Sequence, residues 1–131
     1  MRLQIAWQPD FETGIAVVDT QHRMLVEMIN RIETADATGL QNVVNDLADY
    51  ASLHFDTEEI LMLQYAFPGA KEHAAEHEKF SRQVAHLRAE KELAVVTDKT
   101  NLFSFLKSWL INHIQVSDQE MAKFIKTAQI G

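Results

Sequence analysis

Apolar residues along this chain recur at intervals of three and four, the period of helices packed on one face, and no stretch alternates as a half-buried strand does. Residues 1–18 sustain no helical period. Pro9 and Gly14 punctuate them, and they read as an extended arm pinned by Trp7, Phe11 and Ile15. Asp19 suits an N-cap, and Leu25, Met28, Ile29 and Ile32 after it form the stripe of a first helix. Gly39 marks the end of that helix or the turn beyond, and Thr38-Gly-Leu-Gln41 fits a capping box for the second. The second helix carries Val43, Leu47, Ala51, His54, Glu58 and Leu61 or Met62 in register, and Phe67-Pro68-Gly69 stops it. A third helix is expected from about Ala70 to Leu93, with His73, His77, Phe80, Val84 and Leu87 on one stripe. Thr97-Asp98 caps a fourth, with Leu102, Phe103, Leu106, Leu110 and His113. Asp118 to about Ala128 makes a short terminal helix, with Met121, Phe124 and Ile125 inward. Short connections make consecutive helices antiparallel neighbours, so the expected fold is all-α, an up-down-up-down four-helix bundle.

The 131 residues fit one domain spanning 1–131, and 47% hydrophobic residues suffice for a core. The chain has no cysteine, which removes disulfides, zinc-thiolate sites and thiolate-held iron–sulfur clusters. A net charge of −7 without any basic run argues against nucleic acid as a partner. Charges interrupt every long window, so no membrane span is expected, and the first residues lack the apolar core of a signal peptide. The expected location is the cytoplasm.

What composition leaves open, the histidines narrow. His54 and Glu58, and His73 and His77, are i,i+4 pairs, so each pair projects from one face of its helix. They share stripes with apolar residues, and a buried imidazole or carboxylate without a partner costs about 1–3 kcal/mol or more. In an up-down bundle the end of the second helix, the start of the third, the start of the first (His22) and the end of the fourth (His113) all meet at one level. Asp118 lies five residues after His113, about 140° off a straight helix, so the helix must end, bend or bulge near residues 115–117 for it to join. Imidazoles with a few carboxylates suit iron, zinc or copper better than magnesium or calcium. Seven side chains exceed the needs of one ion. Two ions bridged by Glu58, Asp118 and a solvent-derived group use all seven and leave one position open. His86 is half a turn away from His77 on the third helix and faces outward. Ser117 and Asp118 suit caps, Met24, Met28, Met62 and Met121 suit gap-fillers, and Glu76, Glu78, Lys79 and residues 88–92 suit solvated faces.

His22, His54-x3-Glu58, His73-x3-His77 and His113-x4-Asp118 resemble the complete ligand set of the hemerythrins. Asp19-Thr-Gln-His22 and Trp109-Leu-Ile-Asn-His113-Ile114 are similar to the bacterial, single-domain branch (the bacteriohemerythrins). The resemblance runs along essentially the whole chain. It implies two iron ions bridged by an oxo or hydroxo group, His73, His77 and His113 on a coordinatively full iron, His22 and His54 on one with a vacancy, and Glu58 and Asp118 bridging. It further implies an oxygen pocket of Leu25, Phe55, Trp109, Leu110 and Ile114, with reversible O2 binding by a carrier or store rather than an enzyme. An O2-consuming enzyme would then be a recipient. The alternatives are a diiron oxidase, peroxidase or nitric-oxide-handling enzyme, an O2 sensor acting through a separate partner, and a metal store or structural zinc site.

Overall fold

A computed structural model describes residues 2–130, and the side chain of Ile130 is outside what it describes. The helical segments among the described residues are α1 (Ala16–Asn30), α2 (Ala37–Gln64), α3 (Ala70–Ala89), the single turn α4 (Leu93–Val96), α5 (Lys99–Asn112) and α6 (Gln119–Ile130). A π-helical turn, His113–Asp118, joins α5 to α6 without a break, and 3-10 turns occupy Pro9–Phe11 and Arg31–Thr34.

Polar contacts fix the antiparallel order. Lys99 at the start of α5 donates to the carbonyl of Glu33 just past α1, and Gln41 at the start of α2 donates to the carbonyl of Arg88 at the end of α3. Those ends share one pole of an up-down-up-down bundle. At the opposite pole, Gln129 of α6 meets the hydroxyl of Tyr65, just past α2.

Several boundaries depart from the sequence expectation. α1 begins at Ala16, not after Asp19. Asp19 sits inside the first turn and reaches back, accepting from the amides of Thr13 (2.8 Å) and Gly14 (3.1 Å) and from the Thr13 hydroxyl (2.7 Å). It thus ties the arm to the helix instead of capping it. Burial pushes its pKa up, but these donors outweigh burial and hold it below the usual 3.8. The arm ends at Ile15, and its buried anchors are Leu3, Ile5 and Phe11, with Trp7 and Ile15 only partly covered.

Asp36, not Thr38, caps α2 by accepting from Gly39, so Gly39 is the third residue of that helix and not a terminator. α2 stops as expected before Phe67-Pro68-Gly69. Ala66 adopts φ 52°, and the amides of Ala66 and Phe67 return to the carbonyls of Leu63 and Met62, a Schellman motif with alanine where glycine is usual. The third helix is shorter than expected, because residues 90–92 leave helical geometry before α4 resumes.

The inward stripes coalesce into two apolar clusters. The larger one fills the bundle from the arm to Leu110 and Ile114 and includes Ile29, Leu47, Phe55, Phe80 and Leu106. A smaller one, Val18, Met62, Met121 and Ile125, lies at the opposite pole. Met62 takes the inward position left open between it and Leu61, whereas Met24 is exposed and fills no gap. Phe124 is half-buried against Phe67, with ring centroids 5.5 Å apart. Among the described residues, no helix is long and apolar enough to cross a membrane.

Candidate metal centre

His22, His54, Glu58, His73, His77, His113 and Asp118 are all buried, and they meet at the level predicted for an antiparallel bundle. They form two groups. Glu58, His73, His77, His113 and Asp118 offer one donor atom each within 4.8 Å of one another, and so do His22, His54, Glu58 and Asp118.

The two carboxylates belong to both groups, oxygen by oxygen. Glu58 Oε1 lies 3.0 Å from His73 Nε2 and 2.9 Å from His77 Nε2, while Oε2 lies 3.0 Å from His54 Nε2 and 3.4 Å from His22 Nε2. Asp118 Oδ1 lies 3.0 Å from His73 Nε2 and 3.1 Å from His113 Nε2, while Oδ2 lies 2.8 Å from His22 Nε2. The π-helical turn makes this geometry reachable. Its i→i+5 repeat brings Asp118 round to the face of His113, which an α-helical turn would not do. The predicted bulge is therefore present, and the expected caps at Ser117 and Asp118 are not, because the helix runs through.

The donors fit a metal pair better than they fit one another. His22 Nε2, His54 Nε2, Glu58 Oε2 and both Asp118 oxygens are buried without a hydrogen-bond partner, although His22 Nε2 and Asp118 Oδ2 are 2.8 Å apart. The distance allows a bond and the angle does not, so the lone pairs converge on shared space. Adjacent donors about 2.1 Å from one ion, at right angles, stand about 3 Å apart. His77 Nε2 and His113 Nε2 are 3.0 Å apart, close to that spacing.

Without metal, protons take the vacant role. Burial pushes His22 down, but Asp118 and Glu58 overcome it and raise its pKa to about 9. The same opposition raises His73 to about 9 and His113 to about 10. Burial and the Glu58 charge push Asp118 up, but His113 and His22 bring it down to about 2. Glu58 is likewise held well below the usual carboxylate range by four histidines, against burial.

Around the centre lies a set of residues that the stripes did not reveal. Gln21 Oε1 is 2.7 Å from His54 Nδ1, Glu59 Oε2 is 3.0 Å from His77 Nδ1, and Glu76 Oε1 is 3.2 Å from His113 Nδ1. Ser117 donates to both oxygens of Glu76, at 2.7 and 3.0 Å. Glu76 is therefore no idle solvated residue. Each of these acceptors fixes the proton on Nδ1 and leaves Nε2 free to face inward. Phe55 stacks on His77 (centroids 4.0 Å apart, planes 9° apart) and Trp109 on His113 (4.6 Å, 13°). Leu25, Phe55, Leu110 and Ile114 are buried, and Trp109 packs against them half-exposed. His86 is exposed, as its position half a turn from His77 requires.

The family model for the hemerythrin HHE cation binding domain matches residues 13–125. The chain belongs to the hemerythrin family. It is 34% identical over 127 residues to a bacteriohemerythrin of Stenotrophomonas maltophilia, covering 93% of this chain and 82% of that protein. It is 36% identical over 119 residues to a bacteriohemerythrin of Pseudomonas aeruginosa, covering 87% and 76%. A solved wild-type hemerythrin superposes with a TM-score of 0.82 at 24% identity, covering 92% of this chain and 97% of that one, a likeness of fold. Together with the buried cluster, these relatives make the chain a metal-binding hemerythrin.

Proposed function

We propose that this hemerythrin binds O2 reversibly at a non-haem diiron centre and acts as an oxygen carrier or store. His73, His77 and His113 would hold one iron, His22 and His54 the other, and Glu58 and Asp118 would bridge, with an oxo or hydroxo group completing the pair. Two ferrous ions supply the redox chemistry of O2 binding, and the chain supplies position, charge and dryness. The observation that carries this reading is the division of Glu58 and Asp118 oxygens between a three-histidine and a two-histidine group. The two-histidine group has fewer protein donors, so an open seat falls there.

The protein's own contribution is exclusion. The large apolar cluster closes the centre on one side, and Val18, Met62, Met121 and Ile125 lie on the other. Leu25, Phe55, Trp109, Leu110 and Ile114 would line the oxygen pocket and keep out water and anions that promote irreversible oxidation. The donor set of five imidazoles and two carboxylates also favours binding over activation. Diiron bundles that activate oxygen use a Glu-rich set with paired Glu-x-x-His units. An O2-consuming enzyme is the proposed recipient.

The test is anaerobic loading with ferrous ion, then alternating O2 and argon while absorption is recorded. A visible band that rises under O2 and falls under argon through repeated cycles is expected. Sustained, substrate-dependent O2 consumption would instead assign a diiron enzyme.

A further inference from the structure

The outer partners of the histidines follow a rule along the chain. Gln21, beside His22 on α1, holds His54 of α2; Glu59, beside Glu58 on α2, holds His77 of α3; Glu76, beside His77 on α3, holds His113 past α5. A residue next to an inward one points about 100° away, toward the flank of the adjoining helix. Each helix thus steadies the histidine of the next. The series passes over two ligands: His73, which makes its polar contacts through Nε2, and His22, whose Nδ1 is buried without a partner.

The rule is uniform in geometry and unequal in charge. Two carboxylates serve two of the three histidines in the three-histidine group, His77 and His113. The two-histidine group has one neutral amide, on His54, and nothing on His22. Glu59 and Glu76 are 43% and 44% exposed, yet they touch histidines only 2% exposed. A carboxylate accepting the Nδ1 proton pulls the imidazole toward imidazolate and makes Nε2 a stronger donor; an amide does this weakly.

We infer that Glu59 and Glu76 are positioning residues that make the three-histidine half the more strongly donating one, so that an iron held there keeps its ferric state against reduction longer than its neighbour. This rests on the reading that each group holds one iron. Electrons entering the diferric pair would settle first on the two-histidine side, the side with the open seat. The one-electron reduced state would be localised and not shared. Gln21 is part of the device by being neutral. Ser117, whose single hydroxyl proton is shared between both oxygens of Glu76, holds that carboxylate in place against solvent.

The experiment uses the full chain loaded anaerobically with ferrous ion, oxidised, and titrated stepwise with dithionite and mediators under optical and electron-spin detection. The wild type should show two separate one-electron steps. Glu59→Gln and Glu76→Gln should raise the lower potential, and Gln21→Glu should lower the higher one, so all three narrow the gap. Outer partners shift metal affinity roughly 10- to 100-fold, which for a one-electron couple reads as about 60–120 mV. A variant that loses one iron and keeps the other also supports the inference. Two retained irons with an unchanged gap in all three variants would overturn it, as would loss of both irons together. A wild type that takes up fewer than two irons would instead bring down the diiron reading itself.

Discussion

Without bound metal the centre carries a quantifiable deficit. Five inward donor atoms (His22 Nε2, His54 Nε2, Glu58 Oε2 and both Asp118 oxygens) have no hydrogen-bond partner in the protein itself. Each buried, unmet polar atom costs about 1–3 kcal/mol, so the gross penalty is roughly 5–15 kcal/mol. Protons on His22, His73 and His113 offset part of it by neutralising the carboxylates, which favours the lower end. For a domain of this size 1 kcal/mol moves Tm by about 4 °C, so about 5 kcal/mol corresponds to a shift of roughly 20 °C. The assay is thermal unfolding by far-UV circular dichroism, comparing anaerobic ferrous-saturated and chelator-treated protein. His86→Ala should show the same shift as wild type, because His86 is exposed. His54→Ala should show a much reduced one. A metal-dependent shift under about 5 °C, or an undiminished shift in His54→Ala, would refute the deficit argument.

Further outcomes follow from the same geometry. The raised pKa values of His22, His73 and His113 contribute stability to the metal-free protein below the ordinary 6.5, and that stability is lost as pH rises through about 9 to 10. Metal-free Tm should therefore fall on the alkaline side, and ferrous loading at pH 7 should release protons, read as a buffer-dependent heat in titration calorimetry. Replacing Leu25 or Trp109 with a polar residue should hasten autoxidation; unchanged decay of the oxygenated form in both variants would remove them from the pocket. Leu106→Ala, at a fully buried position, should cost about 2–5 kcal/mol in denaturant unfolding. Ala66→Gly, at φ 52°, should raise stability by up to about 1 kcal/mol, since glycine relieves left-handed strain.

How much of this was legible in the sequence depended on the kind of interaction. The inward stripes of α2, α3 and α5 were readable because burial repeats with helical period, and five-residue spacing exposed the bulge before Asp118 as a geometric necessity. Helix ends were less readable, because Asp19 and Thr38 have the chemistry of caps, while Asp19 binds backward into the arm and Asp36 captures the cap of α2. The break of α3 at residues 90–92 carries neither proline nor glycine, so no local signal announced it. Gln21, Glu59, Glu76 and Ser117 escaped because their role depends on the register between helices, which periodicity within one helix does not contain. Adjacency to an inward donor was the only signal available. Phe55 and Trp109 were legible as apolar neighbours of the histidines, but their stacking on His77 and His113 was not.

The account stands on two ions sharing Glu58 and Asp118. Crystals of the protein loaded anaerobically with ferrous ion, measured at the iron absorption edge, test it most directly. Two anomalous peaks are predicted, one among His73, His77 and His113 and one beside His22 and His54, with both carboxylates between them. A single peak, or peaks that leave Glu58 or Asp118 on one ion alone, would contradict it.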